Sequence, residues 1–342
     1  MPVRTVDLKS TSANWALPDW GAAELAARTP PDWTLRFVDS FTVSDGDGGA
    51  VASPALLAAI ADAEVYFGFG MPEPLFRAAP ALRWVQSAAA GVASLLHPPM
   101  LASNVLLTNA AGLMAEPIAD HVVGGVLHFL RGFDVAMSRY RAGVWDKTPF
   151  IVGELLREAS ECHAVIVGAG GIGSAVARRL SAHGMRVTGV RRRLDAPTPP
   201  GFDAIVALDA LDGLLPDADV VVLAAAATAS TRGVLTAERL AQLPVRAIVA
   251  NVGRGALVDE SALAAALRAG RLRGAVVDVF TQEPVPADHP YWGISNLLFT
   301  PHISAISPRR FWRRQLDLFF DNWTRYRDGA PLRNLVDKHA GY

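Results

Sequence analysis

A glycine-rich turn constrains the fold of this chain more than any other stretch. The segment VIVGAGGIGSAVARRL, residues 165–180, places three glycines in G-x-G-x-x-G spacing between an apolar run and a helical pattern. The first glycine permits a tight turn, the second lets backbone N–H groups approach a pyrophosphate, and the third lets helix and strand pack closely. Because strand, turn and helix follow in this order, we predict a dinucleotide-binding unit. Its predicted pyrophosphate contacts are Gly168, Gly170, Gly171, Ile172 and Gly173.

Seven apolar runs between residues 163 and 303 have the pattern of a parallel sheet. The runs are HAVIVG, MRVTGV, AIVAL, VVVLA, RAIVAN, GAVVDV and NLLFT. Strands that are covered on both faces are expected to be almost continuously apolar, as these are. Helical stretches separate them, so this part of the chain predicts a doubly wound nucleotide-binding domain.

The rest of the chain predicts a smaller parallel α/β unit. In the first 110 residues, the β-like runs WTLRFV, AEVYFGF, LRWVQSAA and NVLLTNA alternate with helical stretches such as SPALLAAIADA. Residues 115–141 predict one long helix that links two domains or lies in a subunit interface. Residues 308–329 predict an amphipathic helix that returns to the first domain. Segments 45–50 and 195–201 predict surface loops.

Composition and charge exclude several classes of protein. The 342 residues are 51% hydrophobic and 19% charged, with a net charge of −1. This balance leaves no global field for nucleic acid or a membrane surface, and no basic patch with interleaved aromatic residues stands out. The longest apolar run, residues 220–229, is shorter than the roughly 20 residues of a membrane-spanning helix. We therefore expect no nucleic-acid partner and no membrane partner. We also expect no metal site.

Cysteine usage indicates a cytoplasmic protein. The single cysteine, Cys162, cannot form an internal disulfide, and the first ten residues lack the profile of a signal peptide. Cys162 directly precedes a predicted strand, which favours a small buried side chain over a nucleophile.

Three arginines follow the second strand of the nucleotide-binding domain. An Asp or Glu about 20 residues after the glycine turn accepts hydrogen bonds from the ribose of NAD, but this chain has Arg191, Arg192 and Arg193 in that region. An arginine cannot accept those bonds, yet it offers a fork of donors and a fixed charge to a ribose 2′-phosphate. We predict a preference for NADP(H), with NAD(H) as a second cofactor. Arg191 is the first candidate and Arg192 the second, and a solvated basic run is the alternative interpretation.

Three further motifs follow predicted strands, at the edge where a doubly wound sheet gathers its ligands. NVGRGALVDE contains Arg254, DVFTQEP contains Asp278 and Glu283, and TPHISAIS contains His302. A histidine, whose ordinary pKa is near neutrality, can protonate the oxygen left when a hydride reaches a ketone. A carboxylate behind the ring would fix its tautomer, and an arginine would offer a planar, two-pronged contact to a carboxylate. Taken singly, each residue could instead cap a helix, lie in a surface loop or bond a backbone carbonyl.

The glycine turn and these three motifs, in this order and spacing, resemble the D-isomer-specific 2-hydroxyacid dehydrogenase family, which includes glyoxylate/hydroxypyruvate reductases. The likeness runs from about Trp84 to Ser307. It implies that Arg254 binds the substrate and that Glu283 and His302 form the acid/base pair.

The resemblance also assigns residues to the two ligands. It implies that the backbone near Ala90 and Gly91 cradles the substrate carboxylate, and that Asp278 holds the nicotinamide carboxamide. Further cofactor contacts are implied at Thr228, Thr231, Val252 and Gly253.

The chain departs from the family pattern in several places. Ala226 stands where many members have proline, Ser304 stands where glycine is common, and the first 80 residues match poorly. In ADH, residues 119–121, an aspartate replaces the usual glutamate, and we expect His121 to be a packing or hydrogen-bonded helix residue.

Pattern and resemblance together predict an α/β protein of two doubly wound parallel-sheet domains. A Rossmann NAD(P)-binding domain, residues 113–303, is inserted into a flavodoxin-like substrate-binding domain, residues 1–112 and 304–342. The predicted activity is NADP-preferring reduction of small 2-keto acids, of the glyoxylate or hydroxypyruvate type, to D-2-hydroxy acids by a homodimer. An NAD-linked dehydrogenase of a bulkier acid and a dinucleotide-sensing binding protein of the corepressor type remain as alternatives. Formate dehydrogenase is disfavoured, because it pairs its histidine with a glutamine where this chain has Glu283.

Overall fold

The chain divides into two compact units. The computed structural model describes residues 1–10, 15–39, 43–44, 50–153, 155–339 and 341. Unit 1 is Met1–Leu113 with Ile306–Tyr342, and unit 2 is Met114–Ala305. Unit 2 is therefore inserted between two segments of unit 1. Most of the loop predicted at 45–50 lies outside the described residues.

In its described residues, unit 1 is built on five parallel strands and a short antiparallel pair, β3–β4. Its elements before unit 2 are β1 (Val3–Asp7), α1 (Asp19–Ala27), β2 (Thr34–Phe37), β3 (Val43–Ser44), β4 (Ala50–Val51), α2 (Pro54–Ala59), β5 (Ala63–Gly68), α3 (Glu73–Arg77), β6 (Trp84–Ser87), α4 (Pro98–Leu101) and β7 (Leu106–Thr108). The parallel strands lie in the order β2-β1-β5-β6-β7, which is the flavodoxin-like order once the antiparallel pair is set aside.

Unit 2 carries a sheet of seven parallel strands in its described residues. Its elements are α5 (Ala115–Leu130), α6 (Phe133–Arg141), α7 (Thr148–Ile151), β8 (His163–Val167), α8 (Gly171–Ala182), β9 (Arg186–Val190), β10 (Ala204–Val206), α9 (Leu211–Leu214), β11 (Val220–Leu223), α10 (Ala237–Gln242), β12 (Ile248–Asn251), α11 (Glu260–Arg268), β13 (Gly274–Val277) and β14 (Leu297–Phe299). The order β10-β9-β8-β11-β12-β13-β14 is that of a dinucleotide-binding doubly wound sheet. All seven strands predicted from apolar runs are confirmed.

The prediction of one long helix over residues 115–141 is wrong. Helix α5 ends at Leu130 and α6 begins at Phe133, because Gly132 adopts a left-handed φ of +64° between them. Gly124 and Gly125, which lie earlier in α5, do not interrupt the helix. A Cβ on Gly125 would lie 2.5 Å from a Val276 side-chain atom, so this glycine lets the helix pack closely on β13.

The chain returns to unit 1 as α12 (Phe311–Arg327), whose aromatic side chains complete the core of that unit. The Phe319 ring stacks on Phe67, with centroids 4.5 Å apart, and on Trp84 at 5.5 Å. Offset or stacked aromatic pairs of this kind stabilise a core beyond the area that they bury. The predicted amphipathic helix and its return to the first domain are confirmed.

Cys162 has the environment of a structural residue. Its side chain is buried just before β8, and its Sγ donates a hydrogen bond to the Glu158 carbonyl at 3.4 Å. Burial raises the pKa of the Cys162 thiol to about 11, so the thiol stays protonated at neutral pH. This agrees with the predicted packing role.

Asp219 ties three segments of unit 2 together at the start of β11. Its carboxylate accepts hydrogen bonds from Arg157 Nη1 at 2.6 Å, Arg246 Nε at 2.5 Å and the His163 N–H at 2.8 Å. Burial opposes ionisation, but the hydrogen bonds from Arg157, the His163 N–H and Arg246 outweigh it, so the pKa of Asp219 lies below its ordinary value.

We expect Asp219→Asn to lower the free energy of unfolding by about 2 kcal/mol at pH 7, because it leaves buried donors without a charged acceptor. Since the folded-state pKa is lowered, this stabilisation is fully present above the ordinary aspartate pKa near 4 and is lost as the pH falls through the lowered value. Urea unfolding across this pH range measures the difference. Asp217→Asn, at an exposed acid that pairs with Arg186, is the matched control. An equal loss of stability in both variants would contradict the prediction.

Candidate active site

The glycine turn has the geometry that its spacing predicts. Gly168 follows β8 with a φ of +105°, and its N–H donates to the Val190 carbonyl at 2.8 Å. A Cβ on Gly173 would lie 1.9 Å from the Gly168 carbonyl oxygen, so the third glycine is required for helix α8 to pack against the turn. A Cβ on Gly170 would meet no atom within 4 Å. The turn therefore leaves open space at Gly170, where a pyrophosphate would approach the N-terminus of α8.

The turns that follow β8, β11 and β12 pack against one another around Ala225. A Cβ on Gly168 would lie 2.7 Å from the Ala225 nitrogen, and one on Gly253 would lie 2.7 Å from the Ala225 oxygen. Thr231 closes the turn after β11, because its Oγ1 donates to the Ala226 carbonyl at 2.6 Å and accepts the Thr228 N–H at 2.8 Å. These turns hold four of the predicted cofactor contacts: Thr228, Thr231, Val252 and Gly253. The residues at this edge of the sheet fit a dinucleotide.

Arg191 lies directly after β9, where the sequence predicts the ribose to bind. Its guanidinium donates to two carbonyls of the following loop, Pro197 at 3.1 Å and Ala196. That loop, predicted at 195–201, is present and mostly exposed. The chain has no carboxylate at the end of β9, since Arg192 and Arg193 come next. Arg191 therefore holds the loop through these two hydrogen bonds, and it also places a positive charge next to the predicted ribose position.

His302 and Glu283 form a hydrogen-bonded pair. His302 Nδ1 lies 2.7 Å from Glu283 Oε2, and the other carboxylate oxygen, Oε1, accepts the Phe280 N–H at 2.9 Å. The His302 side chain is 47% exposed, so a ligand can reach the ring. Because Nδ1 faces the carboxylate, the Nε2 nitrogen remains for a substrate.

Asp278, at the end of β13, anchors the segment that carries His302. Its buried carboxylate accepts hydrogen bonds from Thr300 Oγ1 at 2.6 Å and from the Ile303 and Ser304 N–H groups at 2.9 Å each. His302 itself has a left-handed φ of +53°, a conformation that costs energy for a residue other than glycine. The three bonds to Asp278 offset that strain and fix the turn.

Arg254 lies in a turn that packs directly on the Glu283 segment. A Cβ on the next residue, Gly255, would lie 2.0 Å from the Phe280 carbonyl carbon, so only a glycine permits this approach. The side chain of Asn251, at the end of β12, donates to the Arg254 carbonyl at 3.0 Å and accepts the Gly253 N–H at 3.3 Å. Arg254, Glu283 and His302 are thereby carried by contiguous or hydrogen-bonded turns of unit 2.

Ala90 and Gly91, the predicted cradle of the substrate carboxylate, lie in unit 1. They follow β6, at the carboxyl edge of its sheet. His121, in contrast, lies in unit 2 and has the role predicted for it, because its Nε2 lies 3.2 Å from Thr300 Oγ1.

Sequence reasoning gave no role to Glu260 or His289. Glu260 Oε1 accepts the Thr281 N–H at 2.8 Å, and Glu260 Oε2 lies 3.3 Å from His289 Nε2. Glu260 therefore holds the segment that carries Glu283 from a second side. No spacing in the sequence reveals this, since the partners are more than twenty residues apart. The sequence offered one indication that Glu260 belongs to the site, because it is the last residue of the NVGRGALVDE motif.

A groove of about 980 Å³ lies at the opposite edge of the unit 1 sheet. Among its described lining residues are Glu64, Arg83 and Leu106, at the amino ends of β5, β6 and β7, with Tyr326 of α12. Ligands of open parallel sheets bind at the carboxyl ends of the strands. The groove is therefore not the candidate active site.

A dinucleotide-binding turn and a histidine–carboxylate pair in one doubly wound unit define an NAD(P)-dependent oxidoreductase. Residues 123–304 match the family described as "D-isomer specific 2-hydroxyacid dehydrogenase, NAD binding domain". Glyoxylate/hydroxypyruvate reductase A of Salmonella newport is 33% identical over 267 residues, which are 76% of this chain and 82% of the relative. The chain belongs to the D-isomer specific 2-hydroxyacid dehydrogenase family.

Two solved structures resemble the chain over nearly its whole length. A D-isomer specific 2-hydroxyacid dehydrogenase from Xanthobacter autotrophicus Py2, in complex with NADPH and MES, is 31% identical with a TM-score of 0.79 and covers 99% of each chain. An NADPH-dependent glyoxylate/hydroxypyruvate reductase from Sinorhizobium meliloti, in complex with NADP and sulfate, is 25% identical with a TM-score of 0.78 and covers 100% of each chain. The predicted fold class and family are confirmed.

Within the described residues, no helix combines the length and the apolar character that a membrane crossing requires.

Proposed function

We propose that the protein is an NADP-preferring reductase of small 2-keto acids, of the glyoxylate or hydroxypyruvate type, which yields D-2-hydroxy acids. The observation that carries the proposal is the His302–Glu283 pair at 2.7 Å, on turns contiguous with Arg254. The relatives support it, since the Salmonella and Sinorhizobium proteins are glyoxylate/hydroxypyruvate reductases. Unit 2 is the cofactor-binding domain in this proposal, and unit 1 binds the substrate.

The His302–Glu283 pair supplies the proton for the reaction. When bound, the nicotinamide supplies the hydride. The keto oxygen gains negative charge as the hydride reaches the carbon, and His302 donates a proton to it from Nε2. Glu283 accepts the hydrogen bond from Nδ1, which orients the ring and stabilises the imidazolium before the transfer. Asp278 holds the turn through its three hydrogen bonds.

Arg254 and the unit 1 backbone hold the substrate. The planar guanidinium of Arg254 offers two donors to the carboxylate and the keto oxygen of a 2-keto acid. The N–H groups near Ala90 and Gly91 donate to the carboxylate in this proposal. Asp278 retains acceptor capacity for the nicotinamide carboxamide, because a carboxylate has about four lone-pair sites.

An initial-rate matrix tests the proposal. NADPH and NADH are each paired with glyoxylate, hydroxypyruvate, pyruvate and one branched or aromatic 2-keto acid. We expect the highest kcat/KM for NADPH with glyoxylate or hydroxypyruvate. Faster turnover with NADH and a bulkier acid would favour the NAD-linked alternative. Tight cofactor binding without turnover of any acid would overturn the enzyme proposal in favour of a dinucleotide-sensing protein.

Arg191 is the residue that we propose to select NADP, with Arg192 in support. We expect Arg191→Asp to lower the NADPH/NADH ratio of kcat/KM by about ten- to a hundredfold, because it removes a charged donor to the 2′-phosphate. Arg193→Asp, with the same charge change at an exposed position two residues away, is the control. If Arg191→Asp leaves the ratio unchanged, Arg191 only clamps its loop.

We propose that the protein is a homodimer through a surface on α6 and the residues after it. Phe133, Met137 and Tyr140 form an apolar stripe with exposures of 52%, 45% and 77%, and Trp145 is 91% exposed. Arg139 and Asp146 pair at 3.6 Å beside the stripe. A second copy fits this surface because an apolar stripe flanked by both charges is self-complementary about a two-fold axis.

Light scattering after size-exclusion chromatography tests the dimer. We expect a dimer for the wild type and a monomer for the double variant Tyr140→Asp with Trp145→Asp, because burial of two carboxylates in an apolar interface is unfavourable. Val245→Asp, at another exposed apolar residue of unit 2, should remain dimeric. A monomeric wild type at micromolar concentration would overturn the proposal.

We also propose a cytoplasmic location, which the single buried cysteine supports.

A further inference from the structure

The segment after β6 has three successive carbonyl groups that are each tied down by a hydrogen bond. The donors come from α12 and from the residues that follow β7. The bonds are Gln315 Nε2 to the Ala88 carbonyl at 2.6 Å, the Ala110 N–H to the Ala89 carbonyl at 3.0 Å, and Asn109 Nδ2 to the Ala90 carbonyl at 2.8 Å. All these residues belong to unit 1. The segment is thus held from one side by the rest of its own unit.

At the end of the same segment, the N–H groups of Ala90 and Gly91 are left for a ligand. In a trans peptide unit the carbonyl and the following N–H point in opposite directions. The bonds that fix the Ala89 and Ala90 carbonyls therefore also fix the Ala90 and Gly91 N–H groups, on the opposite side. Among the residues that the structure describes, no acceptor is found for these two N–H groups or for that of Val92. Two fixed donors in sequence, followed by a third N–H group, are suited to an anion.

We propose that Asn109 is a positioning residue for the substrate carboxylate, and that Gln315 supports it. The proposal rests on the function proposed above, in which the Ala90–Gly91 backbone receives that carboxylate. Asn109 acts through the peptide between Ala90 and Gly91, because its Nδ2 holds the carbonyl whose partner N–H faces the ligand. Gln315 acts two residues earlier, through the Ala88 carbonyl.

Asn109 is itself held rigidly, as a positioning residue must be. Its side chain is buried, and its Oδ1 accepts the Ala111 N–H at 3.1 Å, which fixes the direction of the amide. The Asn334 side chain donates to the Asn109 carbonyl at 3.1 Å, and the Asn109 N–H donates to the Asn334 carbonyl at 3.2 Å. The donors are therefore set before a ligand arrives, which spares the cost of ordering them on binding. In this way the C-terminal segment, which contributes α12 to the core of unit 1, also supports the proposed carboxylate site through Asn334.

The test replaces Asn109 by aspartate, which keeps the shape but places an acceptor against the Ala90 carbonyl. Two quantities are measured: the Kd of oxalate on NADPH-saturated protein by calorimetry, and the KM for glyoxylate. We expect both to rise by about ten- to a hundredfold, the range for loss of a hydrogen bond to a charged group, with a smaller change in kcat. Gln315→Met, which removes the donor to Ala88, should cause a smaller rise in both. The Kd of NADPH should be unchanged in both variants.

Asn322→Asp is the matched control, because Asn322 is a buried asparagine of α12 that bonds Gln86 and Arg333 rather than residues 88–90. It should lower Tm without changing the Kd of oxalate or the KM. Equal effects of Asn109→Asp and Asn322→Asp, or no effect of Asn109→Asp on oxalate binding, would overturn the inference, as would a wild type that binds no oxalate. A wild type that binds oxalate but reduces no 2-keto acid would refute the proposed function alone, and the oxalate arm would still decide the role of Asn109.

Discussion

Replacement of His302 by alanine is expected to lower kcat/KM for glyoxylate with NADPH by a factor on the order of 10² to 10⁴, the usual contribution of a positioned acid. The keto oxygen would then have to take its proton from water. The Kd of NADPH should be almost unchanged, because His302 lies on the turn after β14 and not on the glycine turn. Steady-state rates and fluorescence titration of NADPH give the two quantities.

A second variant separates the chemistry of His302 from its conformation. The left-handed φ of +53° is a conformation that asparagine tolerates better than alanine. His302→Asn should therefore keep the turn on Asp278 and yet be as inactive as His302→Ala. His183→Ala, at an exposed histidine at the end of α8, should behave as the wild type. Substantial activity in His302→Asn would show that the residue orients the substrate and does not transfer a proton.

The strands of unit 2 were predictable because of where they lie. Each is covered on both faces, so its sequence is apolar without interruption, and the runs from HAVIVG to NLLFT mark the strands directly. Strand β1 was not predicted, since Arg4 and Asp7 interrupt its apolar pattern. Both are buried, and the structure compensates each of them. The Arg4 guanidinium lies 4.5 Å from the Trp323 ring centroid, and Asp7 accepts a hydrogen bond from Tyr66 at 2.8 Å.

The break between α5 and α6 was also not predicted from the sequence. Helical periodicity continues through residues 115–141, so the pattern gives no sign of an end at Leu130. Gly124 and Gly125 lie inside α5, and at Gly125 the absence of a side chain serves packing. Only the backbone conformation of Gly132 shows which glycine ends the helix.

The sequence was sufficient to propose the reacting groups of the candidate site, but not the residues that support them. Arg254, Glu283 and His302 each stand in a motif, and the structure brings the last two within 2.7 Å. Their supports act across long separations in sequence. Asp278 holds a turn more than twenty residues away, and Gln315 bonds a carbonyl 227 residues before it. One sequence carries no signal for such contacts, because the identity of a buried amide or carboxylate residue does not reveal which carbonyl or N–H group it bonds.

The second large effect is expected at the glycine turn, where alanine substitutions of Gly170 and Gly173 should have different consequences for stability and cofactor binding. Gly170→Ala adds a Cβ that meets no atom within 4 Å in the protein, so Tm should stay close to the wild-type value. The same Cβ would stand where the backbone approaches the pyrophosphate. We therefore expect the Kd of NADPH to rise by at least about a hundredfold, since the helix N-terminus loses its contact with the phosphates.

Gly173→Ala should lose both stability and cofactor binding. Its Cβ would lie 1.9 Å from the Gly168 carbonyl oxygen, a backbone atom that can move only if α8 shifts away from β8. Overpacking of this kind costs about 1 to 3 kcal/mol, so Tm should fall clearly while Gly170→Ala leaves it in place. Thermal unfolding and NADPH titration of the two variants side by side measure the contrast. If Gly170→Ala also unfolds early, the space at that position is needed for the fold, and the assignment of Gly170 to the pyrophosphate loses its support.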